Sequence, residues 1–366
     1  MLNLKKIRRD LHQIPELAFK EHKTRSYILS ILKNYPQLQL HTFDFTGIVA
    51  EYTVDDKAYT LYRADMDALP ICEQTGCEFT SQHPGFMHAC CHDMHMAILL
   101  GLIDKVITEN VQQNLLFVFQ PAEEGFGGAK KMLQTGFFQK FNIERAFALH
   151  VSGKLPVGKV SSKNGYFFAN SEEIEVHFYA QGGHVAYPGP GKNALQAGVQ
   201  FYQLFFEQLH LRYGSSDIIC DFGKMKAGTA MNAIPSKCSL EGTLRSFNLA
   251  AHREVKNLLK DTAKKIATKY KVEYQVKFGI FYAAVHNSDK LFNHFKQVIK
   301  QTEYEFELAE KVYAGEDFGF FAQKFPGLLF WLGTNDSKQE KDLHEADFLP
   351  SESALEIGVD IFYKLL

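Results

Sequence analysis

The chain has 366 residues, 46% hydrophobic and 22% charged, with a formal net charge of −2; that length suits two domains, or one domain carrying an insertion. Near-neutral charge offers no basic face for nucleic acid and no polybasic cluster for lipid, which leaves a small molecule as the expected partner, with no nucleic acid and no membrane. Six cysteines over this length do not make a disulfide framework, and Cys72, Cys77, Cys220 and Cys238 read as structural thiols.

In chain order, Met1-Leu2-Asn3-Leu4-Lys5-Lys6 lacks the apolar core of a signal peptide. No apolar run approaches the ~20 residues of a membrane helix, so a cytoplasmic location is expected. Residues 4–34 carry helical periodicity, with Ile7, Leu11, Ile14, Tyr27, Ile28, Ile31 and Leu32 on inner faces and a break at Pro15. Apolar segments follow at 47–50, 59–62, 115–119 and 146–149. Runs without strict alternation suit strands buried on both faces of a mostly parallel sheet, with helices such as 95–106 between them. Ligands gather beyond the carboxyl ends of such strands. Asp65, Asp67, Glu123, Glu124 and His150 are expected there.

From about residue 169 the pattern changes. Glu173–Tyr179 alternates as a strand exposed on one face does. A helix is predicted over 193–213, strands over 216–222 and 238–244, a long helix over 249–270 and a strand over 272–278. The order β-α-β-β-α-β is that of a ferredoxin-like sandwich. The expected fold class is therefore α/β, a mostly parallel catalytic domain (1–168 and 281–366) with an inserted ferredoxin-like α+β domain (169–280). The catalytic pattern resumes with helices over 292–301 and 318–324 and a strand over 327–332, after which Leu343-His344 falls in a polar loop.

Three segments carry the chemistry: Met87-His88-Ala89-Cys90-Cys91-His92-Asp93-Met94-His95, Gln120-Pro121-Ala122-Glu123-Glu124-Gly125 and Ala148-Leu149-His150-Val151. Thiolate, imidazole and carboxylate together suit zinc, manganese or cobalt. Taken alone, Cys90 and His92 read as a buried thiol and a helix-capping histidine, and adjacent glutamates are common at solvated helix starts. Their joint placement after apolar runs favours a metal-dependent hydrolase, in which one glutamate ligates while its neighbour serves as a base. His95 reads as a supporting residue and Arg63 as an ion-pair partner. His12, His22, His41, His83 and His210 read as surface or partly buried side chains.

At these residues the chain resembles the two-domain, co-catalytic metallo-amidohydrolases, a family that includes aminoacylases, hippurate hydrolases, auxin-conjugate hydrolases and related carboxypeptidases. The likeness also runs through Arg9–Glu16, Arg63–Pro70, Gly182-Gly183-His184, Ala233-Ile234-Pro235, Glu241–Arg245 and Leu343-His344. It implies two divalent metal ions (zinc, manganese, cobalt or nickel) held by Cys90, His92, Glu124, His150 and His344, with Glu123 as general base and Asp67 orienting the site. His184 is implied to reach the substrate carbonyl, Asn232 and Arg245 to bind substrate, and the inserted domain to act as lid and to pair two copies in a homodimer. The implied reaction is hydrolysis of an N-acyl amino acid. Met94–Ile98, Leu115–Gln120, Phe168–Glu172 and Gly315–Gly319 are most similar to the branch that deacetylates N-acetyl-LL-diaminopimelate in lysine biosynthesis. The alternatives are a general N-acyl-amino-acid amidohydrolase or carboxypeptidase, and a non-catalytic metal-binding protein. Two positions depart from the family pattern. Cys91 stands where relatives have glycine, and Tyr187-Pro188-Gly189 lacks their histidine after the proline.

Overall fold

The computed structural model describes residues 2–55, 57–187, 192–214, 217–336 and 341–366, so Pro188, Gly189 and Ser216 lie outside the described residues. It divides into two units. One comprises Met1–Phe167, Val285–Lys311 and Glu316–Leu366; the other comprises Phe168–Ala284 with Val312–Gly315.

The first unit is built on a 10-stranded mixed sheet. Its strands are β1 (Leu38–Thr42), β2 (Ile48–Tyr52), β3 (Tyr59–Asp65), β4 (Asn114–Gln120), β5 (Ile143–Pro156), β6 (Lys159–Ser162), β7 (Gly165–Phe168), β14 (Val285–Asn287), β15 (Glu305–Leu308) and β16 (Gly327–Asn335). The order is β1-β2-β4-β3-β5-β16-β14-β7, with β6 joining β16 and β15 joining β6. The centre, β4-β3-β5-β16, is parallel, and every residue of β4 is buried, as expected for a strand covered on both faces. Helix α3 (His92–Thr108) is buried without interruption from His92 to Ile103. It packs against α1 (Leu4–His12) and α10 (Ala354–Lys364). Helices α2 (His22–Leu32), α4 (the single turn Glu123–Phe126), α5 (Gly128–Gln134), α8 (Asp289–Ile299) and α9 (Gly319–Lys324) complete the unit.

Asp65 and Gln120 end β3 and β4, whereas His150 lies inside β5, which continues to Pro156. That corrects the expectation of a strand end at His150. The register explains its access: β3 accompanies β5 only as far as Arg63↔Ala148, and β16 alone continues past it with Trp331↔His150.

The second unit carries β8 (Asn170–Tyr179), β9 (Gly183–His184), β10 (Ile218–Ala227), β11 (Ala233–Ile234), β12 (Lys237–Ser246) and β13 (Glu273–Phe278), with α6 (Ala194–Tyr213) and α7 (Leu249–Tyr270). The main sheet is antiparallel in the order β10-β12-β8-β13, which is the ferredoxin-like arrangement. Both helices start on asparagine caps. Asn193 accepts the Leu195 and Gln196 amides, and Asn248 accepts those of Ala250 and Ala251. The β9-β11 ribbon was not expected from the sequence, because two-residue strands leave no period to read.

Candidate metal centre

The Cys90 segment reaches the crevice through a tight turn into α3. Cys91 caps that helix at φ 60°, ψ 32°, in the left-handed region, with its side chain wholly buried. A Cβ there costs about 1–2 kcal/mol relative to glycine, which gives a physical reason for the glycine expected at this position.

Around the turn, five donors from four segments meet. Cys90 Sγ is 3.5 Å from His150 Nε2 and 3.4 Å from His344 Nε2. Glu124 Oε1 is 3.6 Å from His344 Nε2 and 3.9 Å from His92 Nε2. The sets Cys90, His92, His150 and Cys90, Glu124, His344 each have donor atoms within 4.8 Å of one another. Both buried imidazoles are oriented from behind. His92 Nδ1–H donates to the Asp67 carbonyl at 2.8 Å and His150 Nδ1–H to that of Val151 at 2.9 Å, so each Nε2 keeps its lone pair for the cluster. His344 sits in a loop whose amide donates to the Ala89 carbonyl at 2.9 Å.

The electrostatics fit cations. His92 Nε2 and Glu124 Oε1 are buried without a hydrogen-bond partner. Burial lowers the basicity of His92, but the charge of Asp65, followed by Asp67 and Glu124, overrides it and lifts the imidazole to about 10. Burial and then Glu124 push the Cys90 thiol well above its usual range. Without a cation that surplus negative charge holds a proton on His92; a bound cation would take the proton's place on Nε2, and the S, N and O donors suit zinc, cobalt, nickel or manganese.

Glu123 lies beside this cluster, buried. Its carboxyl is raised well above the usual range by burial and then by Glu316, Glu124 and Asp317. The Asp317 amide approaches Glu123 Oε1 at 3.4 Å. Behind it Arg63 is fully buried, donating to Asp65 at 2.6 Å, Asp317 at 2.8 Å and Gln120 at 2.8 Å, with Glu316 at 3.1 Å. His95 completes the support, pairing with Asp65 at 2.5 Å and accepting the Val151 amide at 3.0 Å. Asp67 does more than face His92. Its Oδ1 and Oδ2 accept the Glu123 and Glu124 amides, each at 2.9 Å.

His184, Asn232 and Arg245 belong to the second unit. The ribbon pairs His184 with Ala233, and the Val185 amide donates to the Asn232 carbonyl at 3.0 Å, so His184 and Asn232 are neighbours. His184 Nδ1 accepts the Ala186 amide at 3.1 Å, which places the proton of the neutral ring on Nε2. Gly182, at φ 69°, makes the turn into β9, where a Cβ would come within 2.9 Å of the Ile234 carbonyl oxygen. Arg245 Nη1 donates to the Tyr313 carbonyl at 2.8 Å.

Several participants were not anticipated. His12 is fully buried, not a surface or partly buried residue: it bridges Asp93 at 2.8 Å and Glu73 at 3.2 Å, and Arg8 meets Asp93 at 2.9 Å. A signal was present, because Arg8 and His12 follow Leu4 at the i+4 spacing of one helix face. Glu21, Glu316 and Asp317 were also missed as site residues. Cys72, read as structural, is exposed.

Residues 61–366 match the model of peptidase family M20/M25/M40. The chain belongs to that family. Curated relatives include the N-acetyldiaminopimelate deacetylases of Oceanobacillus iheyensis, 40% identical with 100% of this chain and 99% of that protein covered, and of Bacillus velezensis, 39% identical with 97% and 95% covered. Among solved structures of the family, a Bacillus subtilis protein described as a dinuclear metal binding peptidase superposes with a TM-score of 0.83 at 30% identity, covering 99% of this chain and 96% of that one.

Proposed function

We propose that this M20-family protein is a metal-dependent amidohydrolase that removes the acetyl group from an N-acetyl amino acid, with N-acetyl-LL-diaminopimelate as substrate and LL-diaminopimelate and acetate as products. The observation that carries this reading is the meeting of Cys90, His92, Glu124, His150 and His344 beside a buried carboxyl, Glu123. A purely structural metal site needs no base next to its ligands. Two divalent cations held by these donors would polarise the amide carbonyl and acidify a water. Glu123 accepts that water's proton at a carboxylate oxygen and returns it to the leaving amine nitrogen as the C–N bond breaks. The Nε2–H of His184 donates to the carbonyl oxygen as negative charge develops there. Arg245, anchored by Tyr313, pairs with the substrate carboxylate, and Asn232 holds its polar backbone. Asp67 fixes the direction of both glutamates through their amides.

The protein acts in the cytoplasm on a small molecule, with neither nucleic acid nor membrane as partner. Among the described residues no helix is long and apolar enough to cross a membrane. Two copies pair through the second unit, whose β10 is an edge strand.

Acetate release from N-acetyl-LL-diaminopimelate by metal-loaded wild type and Glu123→Gln tests the reading. The variant is expected to retain its metal and lose roughly 10²- to 10⁴-fold in kcat; equal rates would remove the enzyme assignment. The description of the Bacillus subtilis relative as a peptidase supports a second reading, a general acyl-amino-acid hydrolase or peptidase. Equal kcat/KM for N-acetyl-LL-diaminopimelate, N-acetylmethionine and hippurate would decide for it.

A further inference from the structure

The single helical turn that bears Glu123 has irregular backbone. Ala122 sits at φ 58°, ψ 46°, Glu124 at φ −75°, ψ 80°, and Gly125 at φ 89°. The amides of residues 122, 123 and 124, which a helix start leaves without an intrahelical partner, all reach buried carboxyl groups from distant segments. Ala122 donates to Glu21 Oε1 at 2.9 Å, Glu123 to Asp67 Oδ1 at 2.9 Å and Glu124 to Asp67 Oδ2 at 2.9 Å. Glu21 stands at the N-cap position of α2, its side chain turned away from the helix amides, and is wholly buried. Its Oε1 also accepts the Phe19 amide at 3.0 Å, and its Oε2 accepts the Thr46 hydroxyl at 2.5 Å. One carboxylate thus fastens the start of α2, the approach to β2 and the turn after β4.

We propose that Glu21 is a positioning residue for proton transfer at Glu123, an inference that rests on Glu123 being the proton acceptor. The left-handed conformation of Ala122 costs about 1–2 kcal/mol and persists only while its surroundings hold it. Without the Glu21 anchor the Ala122 amide is left unsatisfied in a buried place. The residue then relaxes towards extended backbone, the 122–123 peptide rotates, and the direction in which Glu123 leaves the turn changes with it. Misplacement of a reacting group by about 1 Å can cost 10²-fold.

Glu21→Ala removes the anchor. Glu21→Gln keeps a carbonyl oxygen for the Ala122 and Phe19 amides, while Glu21→Asp draws the carboxylate back by one methylene. Hydrogen exchange of the metal-free protein, read on peptides spanning residues 120–126, is expected to be faster in the Ala and Asp variants than in wild type and Gln. In the metal-loaded enzymes kcat is expected to fall about 10- to 100-fold for Ala and Asp, with KM within about 3-fold and metal content unchanged, while Gln stays within about 3-fold of wild type. If Glu21→Ala does not fold, the Asp and Gln pair carries the same comparison. Unchanged exchange and kcat in the Ala and Asp variants, or a Gln variant as impaired as they are, would overturn the assignment. The exchange measurement needs no substrate, so it reads the anchor even if the deacetylase assignment fails.

Discussion

Cys91 and Glu21 show what single side chains contribute to this site. At Cys91 a Cβ occupies left-handed backbone at a helix start, a conformation that β-branched residues resist most. Cys91→Val is expected to lower stability by more than about 2 kcal/mol. In Cys91→Gly, relief of the backbone penalty offsets the lost packing of the buried thiol, so its melting temperature should stay within a few degrees of wild type. A valine variant that melts with wild type would contradict the turn. Glu21 makes stability depend on pH. Burial, then the charge of Asp67, raises its carboxyl from 4.5 to about 7 despite the Thr46 hydrogen bond. Between those values the folded state holds a proton that the unfolded chain has released, so stability falls as pH rises from about 4.5 to about 7, by roughly 3 kcal/mol in all. Glu21→Gln lacks this titration. In the metal-free protein the stability difference between wild type and variant should shrink across that window, and a constant difference would show that the carboxyl is not perturbed.

At the scale of elements, the turn that bears Glu123 is boxed in by α5. Gly128 opens that helix, its amide donates to the Ala122 carbonyl at 2.9 Å, and a Cβ there would lie 1.7 Å from the Pro121 carbonyl oxygen. Gly128→Ala must therefore displace backbone on one side or the other. Both a lower melting temperature and a loss in kcat of roughly 10-fold or more are expected; wild-type kinetics would mean that α5 shifts without moving Glu123. The long elements were legible because their burial is periodic or continuous. β4 and most of α3 are buried in unbroken runs, α6 and α7 begin on asparagine, and the alternation over Glu173–Tyr179 lies within β8. β1 escaped because it is a short antiparallel strand at the sheet edge with only Leu38 buried. The extension of β5 past His150 escaped because it depends on β16, whose pairing is set from far along the chain. The candidate donors were readable as residue types in short segments. Glu21, Asp317 and the Asp93–His12 pair were not singled out, since their roles are defined by tertiary contacts.

Over the whole molecule, the second unit leaves β10 at its sheet edge, with Ile219 and Met225 exposed on it and Leu195, Val199, Tyr202 and Leu211 exposed on α6. Unpaired edges and apolar patches favour association. Light scattering is expected to give twice the chain mass of 41.7 kDa for wild type and the single-chain mass for Ile219→Lys combined with Leu211→Lys. A monomeric wild type would remove the dimer. Within the first unit, the candidate donors come from segments as far apart as Cys90 and His344. Contacts between residues so distant in sequence carry the cost of closing the long loop between them. Local folding therefore cannot close the proposed donor set, and a nonsense codon anywhere before position 344 would yield a product that lacks one of its arms.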